Sequence, residues 1–191
     1  MPTHGPHRDP DAHRRILDAT FDLIAERGPN RVTINDIARE AKVGRQTIYR
    51  WWPTKVAVVL AALEHRLDTD APGTGSANTR EDLRNQMQRT AYVFASPTGA
   101  IIRQLVADSQ GDEEVAELFR SRFVAARHER SVATIRAGID RGELRADLDV
   151  DIVIDLLFSP LWLRMLVGHG PLTRASVDGL LDHAWESIVA R

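Results

Sequence analysis

Thr33-Ile34-Asn35-Asp36-Ile37-Ala38-Arg39-Glu40-Ala41-Lys42-Val43-Gly44-Arg45-Gln46-Thr47-Ile48-Tyr49-Arg50-Trp51-Trp52-Pro53-Thr54-Lys55 is the stretch on which the fold turns. Thr33 and Asp36 have the spacing of a capping box, and Val32 and Ile37 occupy the two positions of a hydrophobic staple. A short helix over 34–41 is therefore predicted. Ala41-Lys42-Val43-Gly44 reads as a tight turn, with Gly44 as N-cap of a further helix that runs to Trp52 and stops at Pro53. Two short helices joined by such a turn predict helix-turn-helix.

The second of these helices separates two chemistries around its axis. At about 100° per residue, with Arg45 at 0°, Ile48 lies near 300° and Trp52 near 340°, a core-facing pair. Gln46 near 100° and Arg50 near 140° lie opposite, flanked by Tyr49, Thr47 and Arg45 at about that turn's edges. Every side chain on that face can hydrogen bond. Such a face suits a DNA major groove, where arginine reads guanine, glutamine reads adenine and a threonine methyl meets thymine. Thr54 then caps a fourth helix with Lys55 in its first turn, where the helix dipole disfavours a cation unless an anion is close.

Outward from this stretch the remaining elements are helical. Asp9 and Pro10 suit the start of a first helix over 10–27, and Gly28-Pro29 ends it. The fourth helix is expected from Lys55 to Leu67, followed by a break at Pro72-Gly73-Thr74-Gly75-Ser76. Leu83, Met87, Ala91 and Phe94 then mark one helix, and Ile101, Ile102, Leu105 and Val106 the next. Val115 to Ile139 line a long helix closing at Arg141-Gly142. An apolar helix over 150–167 has Pro160 as an expected kink, and a last helix carries Val177, Leu180, Leu181, Ala184 and Ile188 on one face. The fold class is all-α with about nine helices.

Charge divides with position. Of 191 residues with a formal net charge of -2, residues 1–66 hold 11 Arg/Lys against 8 Asp/Glu, and residues 67–191 hold 14 against 19. Arg39, Lys42, Arg45, Arg50 and Lys55 face only Glu40 between positions 39 and 55, with Tyr49, Trp51 and Trp52 interleaved, the composition of a phosphate-binding surface. The absence of cysteine excludes disulfides, thiolate metal sites and cysteine nucleophiles. The histidines offer one close pair, His4 and His7, without supporting carboxylates, so no metal site is expected. No phosphate loop, nucleophile elbow or catalytic carboxylate pair is present, and neither a catalytic residue nor a cofactor is expected. Asp151, Asp155, Pro160 and Arg164 interrupt the apolar run of 150–167, which argues for a buried helix and not a membrane span. Met1 to Asp11 lacks the apolar core of a signal peptide, and a cytoplasmic protein is expected.

Thr33-Ile34-Asn35-Asp36-Ile37-Ala38 followed by Val43 to Lys55 resembles the amino-terminal domain of TetR-family transcription regulators over about residues 12–60. The family's Thr-hydrophobic-Tyr triplet corresponds to Thr47-Ile48-Tyr49, its core aromatic to Trp52 and its helix 4 lysine to Lys55. This chain departs from the pattern with Lys42 where glycine is common, Gly44 where serine caps, and Trp51 where histidine precedes the aromatic. A weaker resemblance, in Arg141 to Asp149 and Ser159 to Arg164, points to one carboxy-terminal subtype of that family.

The resemblance implies a helix-turn-helix DNA-binding domain over 1–54 and an antiparallel helical effector-binding and dimerisation domain over 55–191. It further implies a homodimer through the last two helices, over 150–167 and around 177–188. Arg45, Gln46, Thr47 and Arg50 are expected at base edges, and Thr33, Tyr49, Trp51 and Lys55 at phosphates. Met87, Tyr92, Phe94, Leu105, Phe119, Phe123 and Trp162 are the candidate pocket for a largely apolar effector, although such residues at helical spacing more often build plain core. The leading expectation is a repressor released from a near-palindromic operator by a small molecule. The alternative is an architectural or protein-regulated DNA-binding factor without an effector.

Overall fold

The computed structural model describes residues 10–69 and 78–190. The expected cap at Asp9, the break at Pro72–Ser76 and the His4/His7 pair lie outside them. Among the described residues the order is α1 (Pro10–Arg27), a 3-10 turn (Pro29–Arg31), α2 (Ile34–Glu40), α3 (Arg45–Trp51), α4 (Lys55–Thr69), α5 (Thr79–Ala95) and α6 (Pro97–Ser109). There follow α7 (Glu113–Leu118), a π-helical segment (Phe119–Val124), α8 (Ala125–Asp140), α9 (Val150–Val167) and α10 (Arg174–Ile188). Counting α7, the π segment and α8 as the one long helix expected, the described residues hold nine helices. The only strand-like pairing among them is an isolated antiparallel bridge, Leu144 with Val189.

Packing divides the chain into units 1–71 and 72–191. The boundary expected before Lys55 therefore falls later, because α4 packs along α1 and shares its core. In the amino-terminal unit Ile16, Leu23 and Ile24 of α1, Ile37 of α2, Ile48 of α3 and Val58 of α4 are buried. Removing any of these large side chains leaves a cavity, at about 2–5 kcal/mol for Leu or Ile to Ala.

In the carboxy-terminal unit α5 packs against α6, α8, α9 and α10. Its start is a close crossing: a Cβ on Gly138 would lie 2.5 Å from the Thr79 hydroxyl, so α8 needs glycine there. The loop after α8 completes the junction. Glu143 accepts the Thr79 N–H at 2.8 Å and Arg141 Nε at 2.6 Å, while Arg141 also donates to the Thr79 hydroxyl at 2.7 Å. The Arg141 hydrogen bond, helped by the Thr79 amide, holds the Glu143 carboxyl down at about 2.

The π segment was not expected, and its cause is the spacing of the buried residues. Val115, Phe119, Phe123, Ser131 and Ile135 recur every four or eight positions and are all buried. A strict α-helix, at 3.6 residues per turn, would carry that row steadily around its axis; i→i+5 turns between Phe119 and Val124 widen the helix and return the row to the core. In α9 the helix continues through Pro160. No helix among the described residues is long and apolar enough to cross a membrane.

Candidate nucleic-acid interface

The helix-turn-helix rests on local chemistry that the sequence dictates. Asp36 N–H donates to Thr33 Oγ1 at 3.2 Å and Thr33 N–H donates back to Asp36 at 3.0 Å, closing the capping box. The Thr33 hydroxyl, donating to the Asp36 carboxylate at 2.6 Å, and the Thr33 N–H keep that carboxyl below its ordinary value, and Arg39 pairs with its other oxygen at 2.7 Å. Val32 and Ile37 are buried as the staple requires.

The turn closes α2 with a left-handed residue. Lys42 has φ 54, Val43 N–H donates to Ala38 C=O at 3.0 Å and Lys42 N–H to Arg39 C=O at 3.3 Å, a Schellman arrangement normally built on glycine. Arg15 of α1 donates to the Ala41 carbonyl at 3.4 Å and holds the same turn. Gly44 then caps α3 through its backbone alone.

On α3 the structure separates the residues as the wheel does. Ile48 and Trp52 are buried; Arg45, Gln46, Tyr49 and Arg50 are exposed, and Thr47 and Trp51 are half-buried. Tyr49 is 50% exposed. Trp51 stands edge-on to Trp52 at 5.6 Å, with the Arg50 guanidinium 5.5 Å from its ring. His13 of α1 completes this cluster, 4.8 Å from Trp52 and 5.4 Å from Trp51. No sequence signal marked His13, because the contact joins two separate helices.

Lys55 has a partner within its own unit. Its ammonium donates to the Pro29 carbonyl at 3.0 Å and is half-buried. Thr33 likewise has its hydroxyl engaged, donating to Asp36 at 2.6 Å.

In the carboxy-terminal unit four of the seven candidate pocket residues come together. Trp162 meets Phe94 at 4.8 Å, and Phe119 and Phe123 at 6.4 Å each, while Phe119 and Phe123 stack at 5.1 Å. Met87 and Leu105 are buried core, and Tyr92 is 75% exposed, pointing to solvent on α5. Only Phe119 and Trp162 of the seven line a groove of about 600 Å³, whose walls include Val106, Val124 and Leu166 and whose rim carries Arg120 and Glu113. Arg120 is held there by Glu113 at 2.6 Å and Glu117 at 3.0 Å, which raise its pKa. In the same unit Gln104 bonds Asp108 on its own helix and His128 pairs with Asp151 at 2.9 Å.

A head of capped helices presenting hydrogen-bonding side chains defines a helix-turn-helix DNA-binding unit. Residues 16–62 match the family model described as bacterial regulatory proteins, tetR family, and residues 71–184 match the tetracyclin repressor-like C-terminal domain. The chain belongs to the TetR family of DNA-binding transcription regulators. It is 32% identical to the HTH-type transcriptional regulator YdeS of Bacillus subtilis, over 97% of this chain and 94% of that one. It is 27% identical to the regulator Rv1556 of Mycobacterium tuberculosis, over 87% of this chain and 82% of that one. Among solved structures, the TetR-family regulator SCO0332 superposes with a TM-score of 0.83 at 26% identity, over 92% of this chain and 97% of that one.

Proposed function

We propose that this regulator is a homodimeric repressor that sets two copies of α3 into successive major grooves of a near-palindromic operator and leaves it on binding a small molecule. The observation that carries the reading is the exposed face of Arg45, Gln46, Tyr49 and Arg50 on a helix fixed behind by Ile48 and Trp52. Arg45, Gln46, Thr47 and Arg50 meet base edges, and Tyr49 and Trp51 meet phosphates. Thr33 and Lys55 are left out of the phosphate set: the Thr33 hydroxyl and N–H donate to Asp36, and the Lys55 ammonium is tied to the Pro29 carbonyl. The dimer forms through α9 and α10, since α9 leaves Ile152, Leu156, Leu163, Leu166 and Val167 exposed.

Release by an effector is supported by the fold's record elsewhere. FadR of Bacillus subtilis, 18% identical with a TM-score of 0.67, is described in complex with stearoyl-CoA, and a regulator from Saccharomonospora viridis, 23% identical with a TM-score of 0.63, with choline. In this chain the groove beside Phe119 and Trp162 is the place for an apolar ligand.

Selection of genomic fragments by the purified protein at about 0.15 M salt tests the DNA-binding half. Recovery of a few two-fold symmetric sites is expected; retention of random fragments alone defeats it. A second reading, regulation without a small molecule, is favoured by the filling of the interior: Met87, Phe94, Leu105, Phe119 and Phe123 are all buried. A ligand that releases the operator and raises the melting temperature decides for the first reading.

A further inference from the structure

We propose that Lys55 is a positioning residue of the DNA-binding unit: its ammonium ties the start of α4 to the Pro29 carbonyl and so sets the approach of the chain into α2. The inference rests on the DNA-binding reading. Three observations converge on it.

The first is electrostatic. Lys55 is the first residue of α4, whose positive end repels a cation, and the first turn of α4 contains no acidic side chain to hold one. The ammonium is satisfied by a carbonyl 26 residues earlier in the chain, through a charge-assisted hydrogen bond of 3.0 Å. The second is the place of that carbonyl. Pro29 is buried and begins the 3-10 turn that follows Gly28 at φ 81, and only Val32 separates that turn from the Thr33 cap of α2. The third is what lies beyond. From Thr33 the backbone runs through α2 and a four-residue turn, closed by the Val43 N–H to Ala38 C=O bond, into α3, so a shift at Pro29 is passed to the recognition helix. Lys55 therefore makes the start of α4 and the start of α2 move together. A displacement of α4 would act on the recognition helix from both ends, through Pro53 and Thr54 behind it and through Pro29 ahead of it.

A lysine whose sole role is to meet a DNA phosphate would act through a salt-dependent term and leave the free protein unchanged when removed; a clamp acts on the free protein through the Pro29 carbonyl. The chain contains two lysines, and Lys42 is exposed, so protein labelled with 15N-lysine supplies its own control. In the free protein the Lys55 ammonium protons are expected to exchange with water at least about tenfold more slowly than those of Lys42, which is exposed, because the Lys55 ammonium is part-buried and hydrogen-bonded. Equal rates overturn the proposal, with no variant and no DNA involved.

The functional half compares Lys55→Met with Lys55→Arg. The Met variant is expected to bind operator about tenfold more weakly at an unchanged salt slope, while the amides of Arg31 and Thr33 exchange faster in the free protein; Arg restores both. A slope lowered by about 0.9 with unchanged amide exchange makes Lys55 a phosphate contact and overturns the proposal. Faster exchange with wild-type affinity overturns it as well. Should Lys55→Met fail to fold, the ammonium comparison and the Arg variant carry the decision: an Arg variant that binds ten times more weakly despite its charge and donors sinks the clamp. If the wild-type protein binds no operator, the DNA-binding reading fails while the ammonium result still stands or falls separately.

Discussion

α3 and α9 both hold a face away from the core, and the two faces are opposite in chemistry. α3 exposes Arg45, Gln46, Tyr49 and Arg50, each with a donor or acceptor that water satisfies until a partner replaces it. α9 exposes Ile152, Leu156, Leu163, Leu166 and Val167, which gain nothing from water and lose about 25 cal/mol for every Å² left in it. A helix that buries Val153, Leu157, Leu161 and Met165 on one side and leaves leucines on the other carries a second apolar face, of the kind that apolar partners cover. Helical order is common to both; the exposed side chains decide which partner each helix can take.

The comparison breaks most visibly at α9. Under two-fold pairing each substitution enters the interface twice, so Leu156→Glu with Leu163→Glu places four charges where apolar contact is proposed. The dimer dissociation constant should rise by about a thousandfold or more, with a monomer seen in sedimentation at micromolar concentration. A double variant that stays dimeric would place the interface elsewhere.

At α3 the expected effect is smaller and different in kind. Arg45→Ala should cost about 1–3 kcal/mol of discrimination at one base pair, read by competition with base-substituted operators, and leave the dimer intact. Arg103→Ala on α6, also an exposed arginine, serves as the control and should change neither. Equal losses from the two would mean that charge alone, and not the α3 face, carries binding.

Smaller still is the effect of the turn that presents α3. Lys42 adopts φ 54, a conformation costing a side-chain-bearing residue about 1–2 kcal/mol, part of which glycine's greater freedom in the unfolded chain takes back. Lys42→Gly should therefore raise the stability of the amino-terminal unit by up to about 1 kcal/mol, seen as a higher denaturant midpoint. A lower midpoint would show that the lysine makes a contact worth more than the strain.

Acid weakens both units, through Asp36 in the first and Glu143 in the second, and the effect of Glu143 is the last and most modest. Glu143 ionises at about 2 in the folded chain against an ordinary 4.5, so the folded state prefers its charged form. Its contribution is present above pH 4.5 and is lost as the pH falls toward 2. Glu143→Gln should lower melting of the carboxy-terminal unit at pH 7 and flatten its fall in acid. An unchanged acid profile would mean that the Arg141–Glu143–Thr79 junction adds nothing to stability.

Much of the amino-terminal unit was legible because its signals are local. The Thr33–Asp36 box, the Gly28-Pro29 stop and Pro53 act within a few residues of themselves, and α2, α3 and α4 begin within a residue of the expected places. The separation of Ile48 and Trp52 from Arg45, Gln46 and Arg50 follows from helical period alone. The pocket candidates were not separable in this way. Met87, Leu105 and Tyr92 share helical spacing with Phe119 and Trp162, yet the first two are core, Tyr92 faces water, and only the last two reach the groove. A period reports which face of a helix is apolar, not whether the facing helix leaves a space.

By itself the sequence determined that this protein is helical, where the DNA-binding helices start and stop, and which side of α3 looks outward, because caps, proline, glycine and a 3.6-residue period act along the chain. Tertiary structure alone decided that Lys55 turns back to Pro29, that His13 joins Trp51 and Trp52, and that α7 and α8 are joined through π-helical turns to keep Phe119 and Phe123 in the core. Each of those depends on how separate elements pack, which local propensity does not encode.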